Sequence, residues 1–353
     1  MNFNSGYKSV RVIPVIIRLF CFTFLTTEIW SSPITITEPG RFGFSTGLSY
    51  LNIPLDLKTN PKVKRYVRQW TDTPSENIYN FEGDYLNEIR DESSIISSPL
   101  QIKRNFMDIS LKQTVPGVQI FYTIPVDSGR NTNNIELNLG LYLTNAELFY
   151  TEKTVQTSTV TSTSQTNNIS SGKDARGYGM SLGASSDRYY IYKDFFVNLS
   201  GNLFYENASK NEKPSLIGPF DTLSIPGTID NGVTTEKTDT DFNYKKNSLI
   251  YSFSVKMAEQ VKRFAYYIGG NYINFVSNID EEYSISKTST DNTTGNLQVS
   301  EEYKTNIKSS FKNEKKIYLL IGTEYRLNKT DLNIEFQTEG KNISFTILSK
   351  TNF

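Results

Sequence analysis

The sequence contains no histidine, and its single cysteine, Cys21, lies near the beginning of the chain. The absence of histidine excludes catalytic mechanisms in which an imidazole acts as general base or acid. Zinc sites need histidine or cysteine ligands, and the remaining carboxylate and carbonyl oxygens suit Ca²⁺ or Mg²⁺ better. The acidic stretch that begins at Asp280 lacks the ordered spacing of a cation-binding loop. We therefore expect no catalytic residue, no cofactor and no metal centre.

The sequence also lacks a net charge and a long uninterrupted apolar run. It has 37 basic and 37 acidic residues, so no overall electrostatic field favours a nucleic acid as partner. Its mean hydropathy of -0.42 is too low for a bundle of membrane helices. The 22 tyrosines and 22 phenylalanines favour strands instead. A length of 353 residues allows one large domain or two smaller ones.

Residues 1–32 have the features of an export signal. Lys8 and Arg11 precede an apolar stretch, and two serines follow it. The alternative is an uncleaved transmembrane helix, which needs about 20 nearly continuous apolar residues, and Arg18 interrupts the stretch. Cleavage of the signal would leave a mature chain, residues 33–353, that has no cysteine and no internal disulfide.

Beyond this segment, apolar residues alternate with small or polar ones over many stretches. The clearest stretch runs from Ile135 to Leu143, where every second residue is isoleucine or leucine. This period of two predicts strands with two different faces. The stretches cover about 9 to 15 residues, which exceeds the usual strand length in soluble proteins and suits a strand that crosses a bilayer at a tilt. Their polar face is rich in Gly, Ser and Asn, as in the lumen of a narrow barrel.

Short and long connections alternate along the chain. The long ones are residues 54–104, 151–176, 209–246 and 280–316. This asymmetry is typical of membrane barrels with short periplasmic turns and long extracellular loops. We therefore predict an all-β fold, an antiparallel transmembrane β-barrel of about ten strands. Twelve strands is the alternative, because the apolar residues change parity between Leu111 and Val118. We interpret this change as a bulge at Pro116-Gly117 in one long strand.

The last strand, from Asn342 to Phe353, alternates and ends in an aromatic residue. With the export signal and the two-faced strands, it resembles the bacterial outer-membrane β-barrel proteins over essentially the whole mature chain. The resemblance implies an outer-membrane location, contact with outer-membrane lipid and lipopolysaccharide, and recognition of Phe353 by the barrel assembly machinery. Ser349 and Thr351 depart from the pattern, because larger apolar residues often fill those outward positions. The resemblance identifies an architecture and not a function.

Seven charged residues are expected to point into the lumen. They are Glu136, Lys256, Lys316, Glu324, Arg326, Asp331 and Glu335. One interpretation is a selectivity lining or an ion path. The other, which we favour for a barrel of this size, is that they pair with one another and fill a narrow interior. Glu324, Arg326 and Glu335 lie on strands joined by a short turn, so we expect an ion-pair network among them.

Two hypotheses for function follow. The first is a non-enzymatic surface barrel whose loops mediate contact, adhesion or envelope integrity through an extracellular ligand. The alternative is a small porin or channel for ions or small hydrophilic solutes, which twelve strands would make easier than ten. An enzyme is the least favoured class. The familiar barrel enzymes, such as the omptin proteases and the outer-membrane phospholipases, depend on a catalytic histidine that this chain lacks.

Overall fold

The computed structural model describes residues 34, 37–71, 76–90, 100–127, 132–158, 164–212, 227–230, 232, 234–340 and 342–353. The expected export signal and Cys21 lie outside the described residues. In the described part of the chain, no helix is long and apolar enough to cross a membrane.

The described residues form fifteen strands in one sheet. They are β1 (Phe42–Trp70), β2 (Glu76–Asp84), β3 (Asn87–Arg90), β4 (Leu100–Asp127), β5 (Thr132–Ser158), β6 (Ser164–Ser186), β7 (Tyr189–Tyr192), β8 (Phe195–Glu212), β9 (Gly227–Asp230), β10 (Thr234–Val261), β11 (Phe264–Asp291), β12 (Leu297–Asn313), β13 (Ile317–Leu327), β14 (Thr330–Glu339) and β15 (Asn342–Asn352).

Ten of these strands close into an antiparallel ring. The order is β1-β15-β14-β13-β11-β10-β8-β6-β5-β4, and the pairing of β4 with β1 closes it. The prediction of a ten-stranded barrel is therefore confirmed, and twelve strands is wrong. Two-residue turns follow β10 and β13 at one end of the ring, where β15 also ends. We call this end the turn end and the opposite one the loop end.

The outward side chains of the ring form an apolar belt. On β5, Leu139, Leu141 and Leu143 are 56%, 57% and 66% exposed, and Met180 and Leu182 on β6 continue the belt. Every strand of the ring contributes, because its apolar parity faces outward. Such a surface is unfavourable in water and suits the hydrocarbon of a bilayer, where a closed barrel also satisfies its backbone hydrogen bonds. The fold is that of an outer-membrane β-barrel.

Toward the loop end, the two faces exchange character. On β1, Phe42 and Phe44 face outward near the turn end, whereas Leu51, Ile53 and Leu55 further along are buried inside. The same change on other strands builds an interior cluster that includes Leu111, Val115, Leu148, Ile250, Ile273, Phe275 and Phe311. An apolar interior with a polar exterior is the arrangement of a water-exposed barrel. We call this part, beyond the apolar belt, the extension.

The parity change on β4 is this exchange of faces. Pairing of β4 with β5 continues in one register across Pro116 and Gly117. The bulge lies instead between Met107 and Ser110, where Asp108 has a φ of 51°. The prediction of one long strand is confirmed, but the predicted position of its bulge is wrong. The apolar residues changed parity because the medium outside the barrel changed, while the backbone kept its register.

Strands continue through much of the ranges predicted as long loops. β1 extends to Trp70 and β4 begins at Leu100, within residues 54–104. There, β2 pairs with β1 and β3 pairs with β4. β12 lies within residues 280–316 and pairs with both β11 and β1. The extension is therefore a continuation of the sheet and not a set of irregular loops.

Candidate functional site

Ile34 and Thr37 belong to the N-terminal segment that precedes β1, and both lie in the lumen at the turn end. Ile34 is fully buried, and its backbone N–H donates a hydrogen bond to Oε2 of Glu324 at 2.9 Å. The backbone N–H and the hydroxyl of Thr37 both donate to Oε2 of Glu136 at 2.6 Å. Ile34 also packs in an apolar cluster that includes Phe196. Two of the predicted lumen carboxylates therefore hold the chain's own N-terminal segment.

Glu136 also forms an ion pair with Lys350 of the last strand. The lysine Nζ lies 2.7 Å from Oε1 and 2.6 Å from Oε2, and both side chains are 0% exposed. The ammonium also lies 4.5 Å from the centre of the Phe121 ring. Because solvent does not reach this pair, each charge depends on the other for its compensation.

A second buried ion pair joins Lys256 and Glu335, with Nζ 2.9 Å from Oε2 and both side chains 0% exposed. The Tyr267 hydroxyl donates to the same carboxylate oxygen at 3.0 Å, and the Gln337 amide donates to the other at 2.9 Å. This carboxylate accepts hydrogen bonds at both oxygens. The Glu335 carboxylate is therefore neutralised and held by protein groups, and it offers no free ligand to an ion in the lumen.

The expected network among Glu324, Arg326 and Glu335 is different in the structure. Arg326 pairs with Asp331 across the turn that joins β13 and β14, with Nε 2.9 Å from Oδ1. Glu324 and Glu335 have the partners described above. Lys316 lies exposed in the connection before β13 begins and is not among the buried charges of the lumen.

Two buried lysines in the interior were missed by sequence reasoning. Lys350 shares the inward parity of Ser344 and Thr346 on β15, so the signal was present in the alternation. Lys246 forms an ion pair with Glu206 at 2.6 Å, within the end of a range predicted as loop. Both lysines are buried, which requires partners that the sequence pattern did not identify.

Inside the extension, a charged network surrounds Tyr85. Glu88 pairs with Arg65 at 2.8 Å and with Arg104 at 2.9 Å. The Tyr85 hydroxyl donates to Glu152 at 3.2 Å, and the guanidinium of Arg104 lies 4.4 Å from the Tyr85 ring centre. Burial, and then the Glu152 carboxylate, raise the pKa of Tyr85 well above its ordinary value. The phenol therefore remains protonated and donates its hydrogen bond.

A groove crosses the outer surface of the extension. The cavity has a volume of about 740 Å³ and is lined from β1, β2, β10, β11 and β12. The strand register aligns its lining side chains in two rows across these strands. The row nearer the apolar belt consists of Glu82, Lys64, Asn306, Glu282 and Asn243. The farther row consists of Asn80, Tyr66, Lys304, Ser284 and Asp241.

The residues between the two rows form the floor of the groove. Arg65 and Thr305 are buried on the interior side of the sheet, and Phe81 and Tyr283 pack on the interior cluster around Tyr85. Side chains alternate across a strand, so the row residues on either side must face outward. The groove therefore lies on the outer surface, and its floor is backbone.

Ion pairs and hydrogen bonds order the walls of the groove. Nζ of Lys64 lies 3.0 Å from Oε2 of Glu82. Glu282 accepts from the Asn243 amide at 3.2 Å and from the Asn306 amide at 3.3 Å. These contacts hold donors and acceptors in fixed positions along the wall. Among the described residues, no group of three carboxylates or other typical ligands could hold a metal ion.

Phe353, the predicted assembly signal, lies at the turn end with 65% of its surface exposed. Its backbone N–H donates to the carbonyl of Phe42 at 3.0 Å, which joins the end of the chain to the start of β1. Recognition of Phe353 by the assembly machinery stays a prediction.

No protein-family model matches the chain, and no curated protein matches it. Among solved structures, the transport unit of the autotransporter AIDA-I from Escherichia coli is 10% identical, with 95% of this chain and 97% of that chain covered and a TM-score of 0.29. The Pseudomonas putida toluene transporter TodX is 9% identical, with 92% and 91% covered and a TM-score of 0.25. The outer membrane protease OmpT from Escherichia coli is 12% identical, with 79% and 98% covered and a TM-score of 0.20.

Similarities with such low sequence identity and TM-scores support no conclusion about substrate or activity. The class of the protein follows from its own geometry, a closed antiparallel ring with an apolar outer belt and a polar lumen. The protein therefore has the fold of an outer-membrane β-barrel.

Proposed function

We propose that the protein is a non-enzymatic outer-membrane barrel that presents its extension outside the cell for contact, adhesion or envelope integrity. The observation that carries the proposal is the filled interior. The N-terminal segment, the ion pairs of Glu136 and Lys256, and the apolar cluster of the extension follow one another from the turn end to the loop end.

The filled interior favours this function over a porin. A porin needs a continuous water path, along which charged side chains are hydrated. Here the side chains of Lys256, Glu335, Glu136 and Lys350 are all 0% exposed and paired. The apolar cluster above them would resist wetting. The interior groups thus stabilise the folded barrel, and the outer surface of the extension is the part that can contact a ligand.

The absence of histidine supports a non-enzymatic role, together with the pairing of the interior carboxylates. A general acid or base must reach a substrate proton within hydrogen-bond distance. Glu136 and Glu335 have no exposed surface, so a substrate in solution has no access to them.

Conductance tests the closed interior. The full chain, refolded and inserted into planar bilayers, is expected to produce no stable current steps, while its heat-modifiable migration on gels reports the folded barrel. The Ile34→Asp variant places a carboxylate in the apolar cluster that includes Phe196 and should displace the N-terminal segment. It should nevertheless stay silent, because the buried ion pairs and the apolar cluster of the extension still fill the interior. Stable, charge-sensitive conductance of the unmodified protein would overturn the proposal in favour of the porin.

Labelling of intact cells tests the exposure of the extension. Lys237 lies on β10 in the extension with its side chain 60% exposed, and Lys262 lies exposed in the turn after β10. Because the only cysteine of the sequence lies in the expected signal, Lys237→Cys and Lys262→Cys would each carry a single thiol after cleavage. A membrane-impermeant maleimide should label the first variant and not the second. The reverse result would contradict the proposed orientation.

A further inference from the structure

We propose that the groove on the extension binds an extended, neutral oligosaccharide. This inference rests on the proposed function, because it requires the extension to face the cell exterior. It adds the binding site and the chemical class of the ligand.

The dimensions of the groove suit a linear ligand. Five adjacent strands form it, and strands lie about 4.8 Å apart, so the groove is on the order of 20 Å long. Its volume of about 740 Å³ falls in the range of small-molecule sites. The groove runs across the strands, open to solvent along its length. A chain of several sugar rings has this shape, whereas a compact metabolite would fill only part of it.

The walls offer both hydrogen-bond donors and acceptors over the whole length. In the nearer row, the Lys64 ammonium and the Asn306 amide donate, and the Glu82 and Glu282 carboxylates accept. A ligand that satisfies both kinds of group must itself donate and accept at close intervals. Hydroxyl groups do both, so a polyhydroxylated ligand fits this wall better than a purely accepting or purely donating one.

The farther row adds an aromatic surface. Tyr66 is half-buried in the wall, and Nζ of Lys304 lies 5.9 Å from its ring centre. An aromatic ring that is held at one side by neighbours presents an apolar face beside its polar hydroxyl. The C–H face of a sugar ring can pack on such a surface while its hydroxyls reach Ser284 and Asn80.

The charges of the groove disfavour a polyanion. Among the outward-facing side chains of the groove, Glu82, Glu282 and Asp241 contribute three negative charges, against two positive charges from Lys64 and Lys304. The guanidinium of Arg65 lies on the interior side of the sheet and is paired with Glu88. A sulfated or phosphorylated chain that spans the groove would pass all three carboxylates, and like charges repel. A neutral chain avoids this cost and still uses every polar group.

Binding to defined glycans tests the proposal. The full-length protein in lipid nanodiscs would be measured against neutral glucose and N-acetylglucosamine oligomers of four to six units, beside sulfated oligomers of the same length. Asn306→Ala removes one wall amide and is expected to weaken binding about tenfold. Ser284→Trp fills the groove from a half-buried wall position and should abolish binding.

The matched control is Asn278→Ala. Asn278 is an exposed asparagine on β11 outside the groove, and it accepts a hydrogen bond from Ser310 at 2.8 Å. This variant should bind as the unmodified protein does, and heat-modifiable migration verifies that all variants fold.

Three results would overturn the inference. They are equal binding by the groove variants and the control, stronger and salt-sensitive binding of the sulfated oligomers, and no binding of any neutral oligomer. If any of these results is obtained while the protein conducts no current and Lys237→Cys is labelled from outside the cell, only the inference about the groove fails and the proposed function is unaffected. A conducting barrel or an inverted orientation would instead contradict the proposed function itself.

Discussion

Replacing Lys350 by methionine tests whether the buried ion pair holds the barrel together. Methionine has a similar length and keeps the apolar stem that packs near Phe121, but it removes the ammonium. Glu136 would then retain the hydrogen bonds from Thr37 and lose its ion pair with the ammonium of Lys350. The variant therefore leaves a carboxylate buried at 0% exposure without a counter-charge.

The magnitude follows from this burial. Removing one partner of a buried pair costs about 3 to 5 kcal/mol, because the remaining charge keeps its desolvation penalty and loses its compensation. Removing both charges costs far less, since neutral groups of similar volume can replace a buried pair with little change. The double variant Glu136→Gln, Lys350→Met should therefore recover most of the loss, because the introduced amide oxygen can still accept from Thr37.

The assay is equilibrium unfolding in urea in lipid vesicles, with circular dichroism and the gel-shift of the folded barrel as independent probes. The control is Lys308→Met, because Lys308 is 64% exposed and lies 3.6 Å from Asp280. This exposed pair should contribute roughly 0 to 1 kcal/mol. Equal losses for Lys350→Met and Lys308→Met, or no recovery in the double variant, would refute the reasoning.

Two further predictions concern backbone packing and pH. A Cβ on Gly117 would lie 2.1 Å from the Leu141 carbonyl oxygen, so Gly117→Ala should destabilise the barrel by about 1 to 3 kcal/mol. Gly201→Ala, whose Cβ meets its first atom at 3.7 Å, should change stability little in the same unfolding assay. The Lys210 ammonium lowers the pKa of Asp174 in the extension below its ordinary value of 3.8. The stabilisation is therefore present above about pH 4 and is lost as the pH falls through the lowered pKa. The difference in unfolding free energy between the unmodified protein and Asp174→Asn should shrink over that window, and a difference that does not change with pH would contradict this assignment.

The membrane part of the fold could be predicted because the two faces of each strand meet different surroundings, lipid on one side and the polar lumen on the other. Residues such as Leu139 and Leu141 face lipid, while Asn138 and Gly140 face the lumen, so the chain must alternate. The extension lacks this constraint. The first half of β10 consists largely of Thr, Asp, Glu and Lys, which carry no apolar alternation, and its strand structure follows from pairing with β11 over the full length.

The interior charges could be predicted as a set, but their partners could not. Parity alone indicated that Glu136, Glu324 and Glu335 point inward. Their partners depend on closure of the ring, which brings Lys350 to Glu136 from 214 positions away and Ile34 to Glu324 from 290 positions away. The groove could not be predicted at all. It requires β12 to lie between β1 and β11, and no local pattern specifies that pairing.

The exchange of faces links the fold to the proposed function. On β1, Tyr50 is the last outward aromatic of the belt and Leu51, the next residue, begins the buried interior of the extension. Beyond the membrane, the outer face of a strand meets water instead of lipid. The apolar residues of the strand must therefore lie on its inner face, where they are removed from water. This change places an apolar cluster directly above a polar lumen. In the extension, β12 takes the place of β13, β14 and β15 between β11 and β1, and the apolar cluster fills the interior that these strands surround. Under the proposed function, the step that lets the sheet continue beyond the membrane therefore also excludes water from the interior.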